Sequence, residues 1–151
     1  LAILLAVVGF FSLLLFGGMP IHNWKLSIID QRFIELTHPT SSRLLAHMAE
    51  ISNYGNSNHC DYAVGEIRTS SDSKSAIEEY YKNKRIKSLV QGPIPVETFF
   101  LDELDFYNFF PSGPFLEALA KYSNFSTTTE RRYLVLVLDP MNPATWDARC
   151  H

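Results

Sequence analysis

Residues 1–19, LAILLAVVGFFSLLLFGGM, decide how the rest of the chain is read. They hold no charged residue and a single hydroxyl, Ser12. At about 1.5 Å of rise per residue, one continuous helix of this length spans roughly 28 Å, close to the hydrocarbon thickness of a bilayer. Every face is apolar, which suits lipid better than the one-sided stripe of a core helix. The run closes on Phe16-Gly17-Gly18-Met19-Pro20, where Phe16 or Met19 falls at a position at which a leader-cleavage site wants a small residue. The reading is a transmembrane signal-anchor over 1–19, contacting the lipid bilayer. A cleaved leader and a buried core helix are the alternatives.

Outward from that segment, Pro20 ends or kinks the helix and Trp24 suits a membrane boundary. Leu26, Ile29, Phe33 and Leu36 recur at helical spacing. His38-Pro39 interrupts them. Thr40 or Ser41 can cap a second helix that carries Leu44, Leu45, Met48 and Ile51. Residues 20–51 thus read as a helical connector and 52–151 as an α+β domain held outside the cytoplasm, periplasmic or at the cell surface of a bacterial envelope.

Within that domain, Cys60, Tyr62 and Val64 alternate with Asp61 and Ala63, a strand pattern. Ser71, Asp72 and Ser73 offer caps for a helix with Ile77, Tyr80 and Tyr81 on its inner stripe. Residues 86–90 and 94–101 read as strands, with Pro95 marking an edge or a bulge. Pro114 suits the first position of a helix bearing Leu116, Leu119 and Ala120. Tyr133–Leu138, YLVLVL, is apolar on both faces and reads as a central strand. The order β-α-β-β-α-β is ferredoxin-like: an antiparallel sheet with helices on one face.

In such a sheet the first and last strands are antiparallel neighbours. The tail after Leu138 can then return Cys150 to Cys60, and an even cysteine count supports a disulfide. Free buried thiols, or a metal site built with His59 and His151, are the alternatives. Adjacent strand residues point to opposite faces, so His59 and Cys60 are poorly placed to share one ion. His22, His38 and His47 have no partner at ligand spacing. No nucleophile elbow, zinc-protease helix, phosphate loop or dinucleotide fingerprint occurs, so no catalytic, cofactor-binding or metal residue is assigned. Net charge is −3 with the thirteen basic residues scattered, which excludes a nucleic-acid footprint.

Residues 102–113, DELDFYNFFPSG, are acidic, aromatic and irregular. Phe106, Tyr107, Phe109 and Phe110 exceed what a loop buries easily, and they are the candidate partner surface. The stretch CDYAVGEIRTSSDSKSAIEEYYKN, with the ending D-A-R-C-H, resembles small bacterial proteins that are secreted or membrane-tethered. That resemblance implies an α+β domain and carries no assigned activity. The sequence therefore points to a membrane-anchored binding or accessory module. Two alternatives stand beside it. One is a small hydrolase or metal-dependent enzyme with a site near His59 and His151, using Asp61 or Asp147. The other is a subunit of a membrane protein complex.

Overall fold

The computed structural model describes residues 2–54, 59–105, 110, 113–123, 130–143 and 147–150. Its first finding is a correction at the amino-terminal end. Helix α1 covers Ala2–Phe16, only 15 residues, and a turn at 17–18 separates it from α2, Met19–Ile34. The Gly17-Gly18 pair breaks the apolar run, since glycine weakens a helix by about 1 kcal/mol relative to alanine. A 15-residue helix is roughly 22 Å long, short of a bilayer core. Among the described residues no helix is long and apolar enough to cross a membrane. The single-pass anchor, the lipid contact and the extracytoplasmic placement built on them are therefore overturned. The module function and the membrane-complex alternative that rested on the anchor fall with them. Ile3, Leu4, Leu5, Val7, Val8, Phe10 and Phe11 lie exposed along α1.

Pro20 sits in the first turn of α2, where its missing N–H leaves no hydrogen bond unmade. Ile29 and Phe33 of this helix are wholly buried, as their spacing predicts. Each burial contributes roughly 1.5–3 kcal/mol. The second expected helix does not form. Residues Ser42–Ser52 are strand β1, paired antiparallel with β2, His59–Ser70. Helix α3, Lys74–Tyr81, follows, its Ser73 side chain accepting from the Ala76 backbone N–H. Strands β3, Arg85–Lys87, and β4, Pro93–Pro95, pair only with each other. Strand β5 is Glu97–Phe100, helix α4 is Pro114–Ser123, and β6 is Arg131–Pro143. A single 3-10 turn, Ala148–Cys150, ends the described chain.

The main sheet runs β1-β2-β6-β5, antiparallel throughout. Strands β2 and β6 are neighbours, and β6 is internal, as YLVLVL predicts. The ferredoxin-like order is corrected in two ways. An additional strand, β1, takes the edge beside β2, and residues 85–87 leave the sheet for a ribbon with 93–95. Val96 divides the strand expected over 94–101 between ribbon and sheet.

Helices cover both faces of the sheet, not one. On the first, Val64, Tyr133, Val135 and Val137 meet Ile29 and Phe33 of α2, Ile77 and Tyr81 of α3, and Ile86 and Ile94 of the ribbon. On the second, Ala63, Ile67, Leu134 and Leu136 meet Phe115 and Leu119 of α4. Gly65 makes the second contact close. A Cβ there would lie 2.8 Å from the Val135 carbonyl oxygen and 2.9 Å from the Phe115 ring.

Polar side chains fasten α2 to the sheet beside the first core. Glu66, buried on β2, lies 3.4 Å from His47 of β1 and 3.4 Å from His38, and is paired with Arg68. Asp30 of α2 sits 2.7 Å from His47. Burial, with the charges of Arg68 and Lys84, holds the His38 imidazole below its ordinary value, against the opposing pull of Glu66.

Candidate functional site

The expected bridge is present. Cys60 and Cys150 are joined by a disulfide, with Cα atoms 4.8 Å apart. It forms because β2 and β6 are antiparallel partners, so the chain leaving β6 emerges beside the start of β2. Both sulfurs are buried with Tyr62, against Leu26, Ile51 and Leu89.

Around this bridge the fold gathers residues that lie far apart in the chain. His22, in the first turn of α2, is 2% exposed. Its Nδ1 lies 2.6 Å from the Tyr62 hydroxyl, and its Nε2 lies 3.8 Å from Cys60 Sγ. Burial, then the charges of Asp139 and Asp147, push the Tyr62 phenol up, so it stays protonated. A protonated phenol on one side and a disulfide sulfur without hydrogen on the other set the tautomer: Nδ1 accepts from the Tyr62 hydroxyl, and the Nε2 proton faces the sulfur. Metal-binding histidines are likewise fixed through one nitrogen while the other turns to the ion, which for His22 requires the ring proton to move to Nδ1.

Asp147 is wholly buried beside the turn that carries Cys150. Arg149 donates to both of its oxygens, at 2.9 Å from Nε and 2.6 Å from a terminal nitrogen. Burial pushes this carboxyl up. The hydrogen bonds and charge of Arg149, with a smaller contribution from His22, outweigh burial and hold it below its usual range. Arg149 also donates to Asn23 Oδ1 at 2.8 Å, tying the tail to α2.

Ligand atoms of His22, Cys60 and Asp147 all lie within 4.8 Å of one another. A nitrogen, a sulfur and a carboxylate oxygen make a donor set suited to zinc. Asn142 supplies an independent sign. It pairs with Cys60 across β2 and β6, which puts both side chains on one face of the sheet. Asn142 is wholly buried, and its Oδ1 has no hydrogen-bond partner among the described residues. An unmatched buried acceptor costs about 1–3 kcal/mol and calls for a donor or a cation.

The sequence reading assigns no metal residue and places its alternative site near His59 and His151. His59 does meet an acid, with Nε2 3.1 Å from Asp61, but that pair lies across β2 from Cys60. Asp61 also accepts from the Tyr54 backbone N–H. His151 lies outside the described residues. His22 had been set aside for want of a partner at ligand spacing. Its partners stand 38 and 40 residues away, so no local signal could have found it. Of the candidate partner surface, Phe106, Tyr107 and Phe109 lie outside the described residues. Phe110 is wholly buried and stacks on Phe115 with ring centroids 4.7 Å apart, which makes it core.

No protein family, no curated protein and no solved structure matches the chain. The resemblance to membrane-tethered bacterial proteins is therefore withdrawn.

Proposed function

We propose that the protein binds a divalent ion of the zinc class through His22, Cys60 and Asp147, and that it acts as a metal-dependent enzyme of hydrolytic type. The observation that carries this reading is the convergence of three buried ligand groups within 4.8 Å. Three protein ligands leave a fourth position for water, the count used by catalytic zinc. A zinc ion held by these three residues would supply Lewis-acid chemistry, the kind that activates water near neutral pH. The protein's part is to orient the ligands. Tyr62 fixes the His22 ring, and Arg149 keeps the Asp147 carboxylate charged and aimed. Arg149 fills three of the roughly four lone-pair directions of that carboxylate, through its backbone N–H, Nε and a terminal nitrogen, which leaves one for an ion.

Cys60 ligates only as a thiolate, so the test uses the chain with its cysteines reduced. Cobalt(II) titration should give one ion per chain, with a sulfur-to-cobalt charge-transfer band and the intense visible bands of four-coordination. His22→Ala and Asp147→Asn should each weaken binding by about tenfold or more. The zinc-loaded chain should hydrolyse an activated ester or phosphoester, and a chelator should stop it. A visible spectrum without the sulfur band, or equal binding by both variants, refutes the site. Binding without chelator-sensitive hydrolysis refutes the enzymatic part.

A further inference from the structure

The Cys60–Cys150 bond and the ion compete for one sulfur. In the structure Cys60 Sγ is bonded to Cys150, so it carries no charge. A disulfide sulfur is a poor donor to zinc, because the thiolate is the metal ligand. The other ligand groups are already assembled beside it, with His22 Nε2 at 3.8 Å. We infer that Cys150 is a redox gate on this centre: the disulfide excludes the ion, and reduction admits it. This rests on the metal reading above and adds its regulation.

The chemistry balances with a dithiol as reductant. The Cys60–Cys150 bond breaks, the reductant closes its own disulfide, and two electrons and two protons pass to the protein sulfurs. A zinc ion then replaces the proton of Cys60, which leaves to water. Cys150 remains a thiol. On oxidation it rejoins Cys60: two electrons, the Cys150 proton and one proton from water pass to an oxidised dithiol, and the ion is released.

The fold provides a route to the buried bond. Cys150 belongs to a single 3-10 turn and not to the sheet. That turn is held by the bridge itself, by packing against β1 and β2, by Arg149 donating to Asn23 and to Asp147, and by the Cys150 N–H donating to the Asp147 carbonyl at 3.1 Å. Lifting residues 148–150 exposes the sulfur and leaves the strand ladders of the sheet intact. Once the turn is back in place, Asp147 meets His22 and the freed thiolate.

The experiment is a zinc titration against a chromogenic chelator, monitored alongside circular dichroism for fold. It compares the oxidised chain, the chain reduced with a dithiol and desalted under argon, Cys150→Ala, and Cys60→Ala. The gate predicts that the oxidised chain binds at least about a hundredfold more weakly than the reduced chain. Cys150→Ala should bind one zinc with or without reductant, and Cys60→Ala in neither state. Equal binding by oxidised and reduced chain overturns the gate and leaves an ion on His22 and Asp147. Binding by the reduced chain but not by folded Cys150→Ala makes Cys150 a ligand and also overturns the gate. Absence of binding in every form removes the metal reading and the gate together. If Cys150→Ala does not fold, the oxidised and reduced wild-type arms alone decide.

Discussion

Replacing both bridging cysteines, Cys60→Ala with Cys150→Ala, should lower stability by about 5.6 kcal/mol. The bond closes a loop with a sequence separation of 90 residues. Its chain-entropy effect on the unfolded state is about 4.6 kcal/mol at 25 °C. Loss of two sulfurs from a buried cluster around Tyr62 adds roughly 1 kcal/mol. Domains of this size have net stabilities of about 5–15 kcal/mol, so the variant stands near the margin. The assay is equilibrium urea unfolding followed by tryptophan fluorescence and far-ultraviolet circular dichroism, with chelator present to keep ions out. The midpoint should fall, and the urea slope should rise because the uncrosslinked unfolded chain exposes more surface. Wild type under reductant should match the double variant to within the sulfur packing difference. A loss under about 1 kcal/mol would refute the reasoning, because a bond that spans most of the folded domain cannot then be constraining the unfolded chain. A large loss in the variant with none on reduction would assign the effect to native packing instead.

Gly65→Ala should destabilise by about 2–3 kcal/mol in the same urea assay, since its methyl would press on the Val135 carbonyl and the Phe115 ring; an unchanged midpoint would mean that α4 does not sit on β2 as described. Asp139→Ala should lower the thermal midpoint, costing roughly 2–4 kcal/mol, because the buried carboxylate accepts from Ser88 Oγ at 2.7 Å and from the Leu89 N–H at 3.1 Å. Protonation of His38 should show in the pH dependence of stability. Its folded pKa lies below the ordinary imidazole value of about 6.5, so the unfolded chain binds the extra proton first. The His38 contribution is therefore whole above about pH 6.5 and is lost as pH falls through the folded value. Urea midpoints taken between pH 5 and pH 8 should rise with pH in wild type and rise less in His38→Gln; parallel curves would exclude this origin.

Local pattern carried a good part of the fold. The alternation through Cys60, Tyr62 and Val64, the six apolar residues 133–138, the Ser73 cap and Pro114 each specify an element whose neighbours in sequence suffice to define it. The bridge was legible for a related reason, since placing the first and last expected strands side by side brings the two cysteines to one end of the sheet. Strand β1 was not legible. Leu44, Leu45, Met48 and Ile51 satisfy a helical period, and only the open edge of β2 turns them into a strand, by offering backbone partners along residues 42–52. The ribbon of 85–87 with 93–95 likewise depends on Ile86 and Ile94 finding the core between α2 and α3.

By itself, then, the sequence determined the central antiparallel pair β2–β6, the helices α3 and α4, and the Cys60–Cys150 pairing, because short-range periodicity and strand adjacency carry that information. The tertiary structure alone decided that β1 closes the sheet edge and that His22 and Asp147 meet at Cys60. The first needs the open edge of β2, and the second joins residues from opposite ends of the chain, which meet only once the sheet has formed and α2 has packed across it.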